Sequence, residues 1–88
     1  METKVKFLNS LNKKQFYSDD EYHDFLMYRI QSHLVEISDL KANKDPHLVK
    51  ETADLMLLSY MLALNEGSNK KTFMERIKKI EKKIKAKQ

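Results

Sequence analysis

Between Glu51 and Leu64 the sequence reads ETADLMLLSYMLAL. Two acids one turn apart open the stretch, and from Leu55 to Leu64 only Ser59 is strongly polar, Tyr60 being amphipathic. A helix that is apolar on nearly every side has to be enclosed by protein on nearly every side. At about ten residues the run is too short to cross a bilayer, which needs roughly 20. An 88-residue chain supplies few neighbours, and chains of this size bury only about 60 to 65% of the surface their unfolded form exposes. The stretch therefore predicts the buried central helix of an oligomeric bundle, with Glu51 and Asp54 where the helix begins.

One Gly and one Pro leave almost no material for hairpin turns, while Lys, Glu, Leu, Ile and Met are frequent. The expectation is an all-α chain: an antiparallel helical bundle of three main helices, a possible short N-terminal helix, and completion by oligomerisation. The lack of cysteine excludes disulfides and cysteine metal sites. With no continuous apolar segment or cleavage pattern in METKVKFLNSLNKK, the expectation is a cytoplasmic protein.

Residues 1–88 read as a single domain. Residues 1–17 form a short arm or helix; Val5, Phe7, Leu8 and Leu11 fit either a docking helix or a strand-like arm. Ser18 and Glu21 have the spacing of a capping box, which predicts a helix over 18–41 with Tyr22, Phe25, Leu26, Ile30, Leu34, Ile37 and Leu40 on one stripe. At ANKDP, residues 42–46, the chain breaks. Asp45 caps the next helix with Pro46 at its first position, and that helix spans 46–66 and stops at Gly67. Ser68 or Asn69 then caps a last helix over 69–86, with Phe73, Ile77, Ile80 and Ile84 on one side.

Charge is unevenly spread. Lys70 to Gln88 carries nine Lys or Arg against two Glu, while residues 1–69 carry eight against eleven acids. A mildly acidic body ends in a basic helix.

The acids of the second and third helices form a pattern. Glu36 and Asp39 are spaced i, i+3, as are Glu51 and Asp54, so each pair spans about one turn. An antiparallel hairpin centred on residue 45 sets Glu36 level with Asp54 and Asp39 level with Glu51. Four carboxylates facing one another in a partly buried site repel unless a hard divalent cation holds them, and Mg2+ or Mn2+ suits such an oxygen set. A solvated acidic face is the plain alternative.

HLVEISDL (His33 to Leu40) followed by ETADLMLLSYMLALNEG (Glu51 to Gly67) resembles the E-x-x-E then E-x-x-D signature of MazG-like nucleotide pyrophosphohydrolases. FMERIKKIEKKIK resembles the basic helix that commonly ends those domains. The resemblance spans roughly Tyr22 to Lys85. It implies a homodimer or homotetramer hydrolysing a nucleoside triphosphate to monophosphate and pyrophosphate with Mg2+, with Glu36, Asp39, Glu51 and Asp54 as metal ligands and catalytic groups. Asp39 stands where the family usually has Glu, and the link between the two motifs is short for it.

Arg29, Lys50, Lys79 and Lys83 are the candidate phosphate-binding cations, each with a solvated lysine or ion-paired arginine as the plainer reading. His33 fits a supporting partner or an interfacial histidine, His47 a helix-start residue, and Tyr22 and Phe25 core residues rather than a base platform. The E-x-x-H motif of di-iron bundles, a Gly-rich phosphate loop and a nucleophile triad are all missing. Two other classes stay open: a catalytically inactive oligomer, and a nucleic-acid-binding protein that uses the basic tail, attracted to phosphates in a salt-dependent way but lacking aromatics after Phe73 to read bases.

Overall fold

The computed structural model describes all residues, Met1–Gln88, and is all-helical: α1 (Glu2–Lys13), α2 (Asp19–Ala42), α3 (Leu48–Asn65) and α4 (Lys70–Ala86). The open choice for the N-terminal arm is resolved as a helix. In α1, Glu2 acidifies the first turn and pairs with Lys6 at 3.2 Å, Lys13 closes the last turn, and Val5 and Asn9 face inward one turn apart. Phe7, Leu8 and Leu11 remain exposed, so the helix has only a narrow buried stripe.

Local chemistry sets the ends of α2. Ser18 Oγ accepts from the Glu21 amide at 3.1 Å, but the Glu21 carboxylate accepts from the Tyr17 amide at 2.9 Å, one residue outside a capping box. At the far end Lys44 takes a left-handed conformation (φ 53°), its amide bonds the Lys41 carbonyl and the Asp45 amide bonds the Leu40 carbonyl. That is a Schellman stop with a lysine where glycine is usual.

The start of α3 differs from expectation. Pro46 is not the first helical residue; it lies in a turn in which Asp45 Oδ1 accepts from the His47 amide at 2.9 Å and the Asp45 carbonyl from the Leu48 amide at 3.1 Å. The Asx turn uses two residues before the helix begins at Leu48. Gly67 (φ 92°) ends α3 with the same Schellman pairing, Gly67 to Leu64 and Ser68 to Ala63. Asn69, rather than Ser68, caps α4 in a reciprocal box with Thr72.

The α2/α3 hairpin is the main packed unit, and α1 lies against α3. His23 Nδ1 and Glu66 Oε1 join the open end of the hairpin. The core is small: Val5, Tyr22 and Leu26 are its buried apolar residues. Phe16, in the α1–α2 link, lies over Tyr22 and Phe25 with ring centroids 5.2 and 4.9 Å away. Tyr22 and Phe25 are thus core residues. Tyr22 donates its hydroxyl proton to Asn9 Oδ1 at 2.6 Å, tying α2 to α1.

Within one chain α3 is only partly enclosed. Glu51 is its fully buried residue, Met56 and Val49 are exposed, and Leu55, Leu57, Leu58 and Leu62 are half-buried. Helix α4 makes no extended contact with the other three. It meets α3 near its first turn, where the Phe73 ring lies 5.5 Å from Tyr60. No helix is long and apolar enough to cross a membrane.

Candidate metal centre

The most unusual packing in the hairpin is polar. Glu51, in the first turn of α3, is 7% exposed, and His33, on α2, is 8% exposed. His33 follows Leu26 by seven residues, two helical turns, so it continues the buried stripe of α2. Its Nδ1 lies 2.7 Å from Glu51 Oε2. The two atoms are close but not aligned to hydrogen-bond, and neither has another hydrogen-bond partner. The other oxygen, Glu51 Oε1, lies 3.1 Å from His47 Nε2 in good geometry. His47 is the residue before α3 and reaches forward one turn to do this.

Glu36 completes the cluster. One ligand atom each from His33, Glu36 and Glu51 lie within 4.8 Å of one another. His33 and Glu51 are buried, whereas Glu36 is exposed, so the cluster is closed on the core side and open to solvent at Glu36.

The expected acids are thus placed unequally. The structure brings Glu36 together with Glu51 and His33, and not with Asp54. Asp39 and Asp54 are exposed and outside the group that converges. The physical reason is azimuth. An i, i+3 step rotates a side chain by about 60° around the helix, so when Glu51 faces inward Asp54 points to the rim. On α2 the inward residue is His33; Glu36 sits at the edge of the interface and Asp39 lies a further step round, in solvent.

Among the cations, Arg29 on α2 and Lys50 on α3 are exposed, each next to the cluster in sequence. Lys79 and Lys83 lie exposed on α4, a helix with no extended packing against α2, which carries Glu36. His33 and His47 take the closer positions around Glu51. The signal for them was present in the spacing: His47 precedes Glu51 by four, and His33 precedes Glu36 by three while continuing the apolar stripe.

The donor set fits a divalent cation. His33 Nδ1 and Glu51 Oε2, buried 2.7 Å apart, are each other's contact but are not aligned to hydrogen-bond, a poorly satisfied pair of the kind a bound cation would relieve. One imidazole beside two carboxylates suits a first-row transition ion such as Mn2+, Fe2+ or Zn2+ better than Mg2+, which prefers oxygen ligands alone, and His47 lies where an outer partner would fix the Glu51 carboxylate. Comparison of the chain with protein families, curated proteins and solved structures finds no match.

Proposed function

We propose that this chain is a divalent-cation-dependent hydrolase of nucleoside triphosphates that releases pyrophosphate and the monophosphate. The observation that carries the reading is the buried Glu51 carboxylate facing His33 and Glu36 on the helical hairpin, with the 2.7 Å contact of His33 Nδ1 and Glu51 Oε2 not aligned as a hydrogen bond. The resemblance of the two acidic motifs to MazG-like pyrophosphohydrolases supplies the substrate class.

His33, Glu36 and Glu51 would hold the ion, Mn2+ in preference to Mg2+. When bound, such an ion screens the carboxylates and draws phosphate oxygens to them. The remaining work falls to the chain. His47 fixes the orientation of Glu51. Glu36, open to solvent, would orient a water toward phosphorus, and the exposed Asp39 and Asp54 would add negative potential that retains a hydrated cation. Arg29 on α2 and Lys50 on α3 are exposed and would supply positive charge for the phosphates. The enzyme would act in the cytoplasm, which suits a chain without cysteine, and as a homo-oligomer.

The test is pyrophosphate release from a panel of nucleoside triphosphates with Mn2+ or Mg2+, using the native chain, Glu51→Gln and Glu36→Gln. Release that needs the cation and is lost in both variants supports the reading. Absence of turnover for every substrate with both ions, by protein that circular dichroism shows to be folded, would refute it.

A further inference from the structure

Helix α4 displays a row of exposed apolar side chains and makes no extended contact with the other helices. Ile77, Ile80 and Ile84 are 55, 51 and 56% exposed, and together with Glu81, Lys85 and Gln88 they line a shallow open groove. The accessible surface of the chain is 7137 Å², whereas roughly 5,400 Å² is expected of a compact monomer of 10.5 kDa. The excess, about 1,700 Å², exceeds the roughly 800 Å² that each partner contributes to a standard interface. The radius of gyration, 15.4 Å, is likewise larger than the roughly 12 Å of a compact chain of this length.

The pattern along α4 says what covers the surface. Phe73, Ile77, Ile80 and Ile84 follow one another at intervals of four, three and four. That is an alternating heptad seam, with Ile77 and Ile84 at a and Phe73 and Ile80 at d. The stripe is narrow, as in a coiled coil, and not the broad apolar face of a helix lying on a membrane or on a globular core. The flanking charges then choose the orientation. Arg76 and Lys83 fall at g; Glu81 and Gln88 fall at e. In a parallel pair each g residue faces the e residue five positions on in the other helix, which sets Arg76 opposite Glu81 of the second copy, twice by symmetry. An antiparallel pair would instead oppose the basic g positions to each other. Lys71, Lys78, Lys79, Lys82 and Lys85 lie on the outer positions, away from the seam, while Lys70 at a and Lys87 at d bound it at its two ends. In the single chain Glu81 makes only an exposed pair with Lys85 at 2.7 Å on its own helix.

We infer that α4 is a self-association element: the α4 helices of two copies of this chain pair in parallel through Phe73, Ile77, Ile80 and Ile84, with Arg76 of each copy paired to Glu81 of the other.

Mass by light scattering and sedimentation over a concentration series tests this, independently of any activity. The native chain should reach at least twice 10.5 kDa, and a double variant Ile77→Lys, Ile84→Lys should stay at one chain mass with the α2/α3 hairpin still folded. Glu81→Arg should weaken association, and Arg76→Glu combined with Glu81→Arg should restore it. Because the chain has no cysteine, a Lys87→Cys variant gives a clean orientation test without disturbing the seam's isoleucines. Residue 87 lies near the C-terminal end of α4, so an oxidised dimer forms readily from a parallel pair and not from an antiparallel one. A native chain that stays monomeric throughout overturns the proposal. So does an oligomer that survives the double isoleucine variant, which would place the interface on α3, or a monomer that instead binds anionic vesicles or RNA through α4.

Discussion

Changing Glu36 to glutamine separates a metal centre from a merely acidic face, because the two readings give opposite expectations with and without the ion. Ligand atoms of Glu36 and Glu51 lie within 4.8 Å. Two unit charges at that distance repel by about 0.9 kcal/mol in water and about 3.5 kcal/mol at an effective dielectric of about 20. Glu36 is exposed, so the lower end applies, and about 1 kcal/mol is the working figure. Glutamine keeps the size and removes the charge, and Glu36 has no ion pair to lose. Without metal the Glu36→Gln chain should therefore melt higher, by about 4 to 8 °C for each kcal/mol in a domain of this size. With Mn2+ at about a hundredfold over its dissociation constant, the native chain should gain about 2.7 kcal/mol, a rise of at least about 10 °C. The variant, lacking one of three ligands, should lose most of that rise.

The assay is thermal unfolding followed by far-UV circular dichroism, in chelator and then across an Mn2+ titration, with Mg2+ and Zn2+ in parallel. The crossing of the two proteins is the diagnostic result: the variant above the native chain without metal and below it with metal. A native chain that ignores all three ions, or a variant that keeps the full metal-induced rise, would refute the metal centre.

Two further outcomes follow from the fold. Tyr22→Phe removes the hydroxyl that satisfies Asn9 Oδ1 in the core, and a buried acceptor left alone costs about 1 to 3 kcal/mol in denaturant unfolding. The same hydroxyl has its pKa raised, chiefly by burial, against smaller opposing effects of the Asn12 hydrogen bond and the Lys13 charge. A raised folded-state pKa gives stability that is complete below about pH 10, the unfolded value, and is lost as pH rises through the folded value; the stability gap between the native chain and the Tyr22→Phe variant should narrow there. Lys44→Gly should stabilise by about 0.5 to 1 kcal/mol, since a lysine held at φ 53° carries the cost of the left-handed region that glycine avoids. An unchanged denaturation midpoint would show that this turn relaxes at no cost.

What could be seen in the sequence was what local chemistry decides. Ser18, Asn69 and Gly67 fix helix ends through hydrogen bonds within a few residues, so three helices were legible from caps and periodicity alone. Helix α1 was not, because Phe7, Leu8 and Leu11 give it no clear buried stripe. Pro46 misled for a related reason: it suits a first helical position, but Asp45 captures the next amides in a turn, and the helix waits until Leu48. The site was half legible. Spacing picked out Glu36 and Glu51 among the acids of the hairpin. The pairing it set, Glu36 with Asp54 and Asp39 with Glu51, is not the one that converges, because spacing does not tell which way each side chain points. That direction is set by the core. Leu26 turns His33 inward, and with it Glu36 toward Glu51 and Asp39 into water.

The composition of the core adds its own argument. Six residues are buried, and three of them, Asn9, His33 and Glu51, are polar or charged. Asn9 is accounted for by Tyr22. Glu51 is met by His47 at one oxygen, but its other oxygen faces His33 Nδ1 out of alignment, and such a buried pair contributes no more stability than a pair of well-packed apolar side chains would. In a chain with so little apolar core, leucines at both positions together would hold the hairpin at least as well, whereas leucine at one alone would leave the other group buried without its partner. The presence of Glu51 and His33 at its centre, beside an acid that faces solvent, makes sense for a site that holds a cation and less sense for a scaffold. The apolar surface missing from the core is instead displayed on α3 and α4, where a second copy of the chain can cover it.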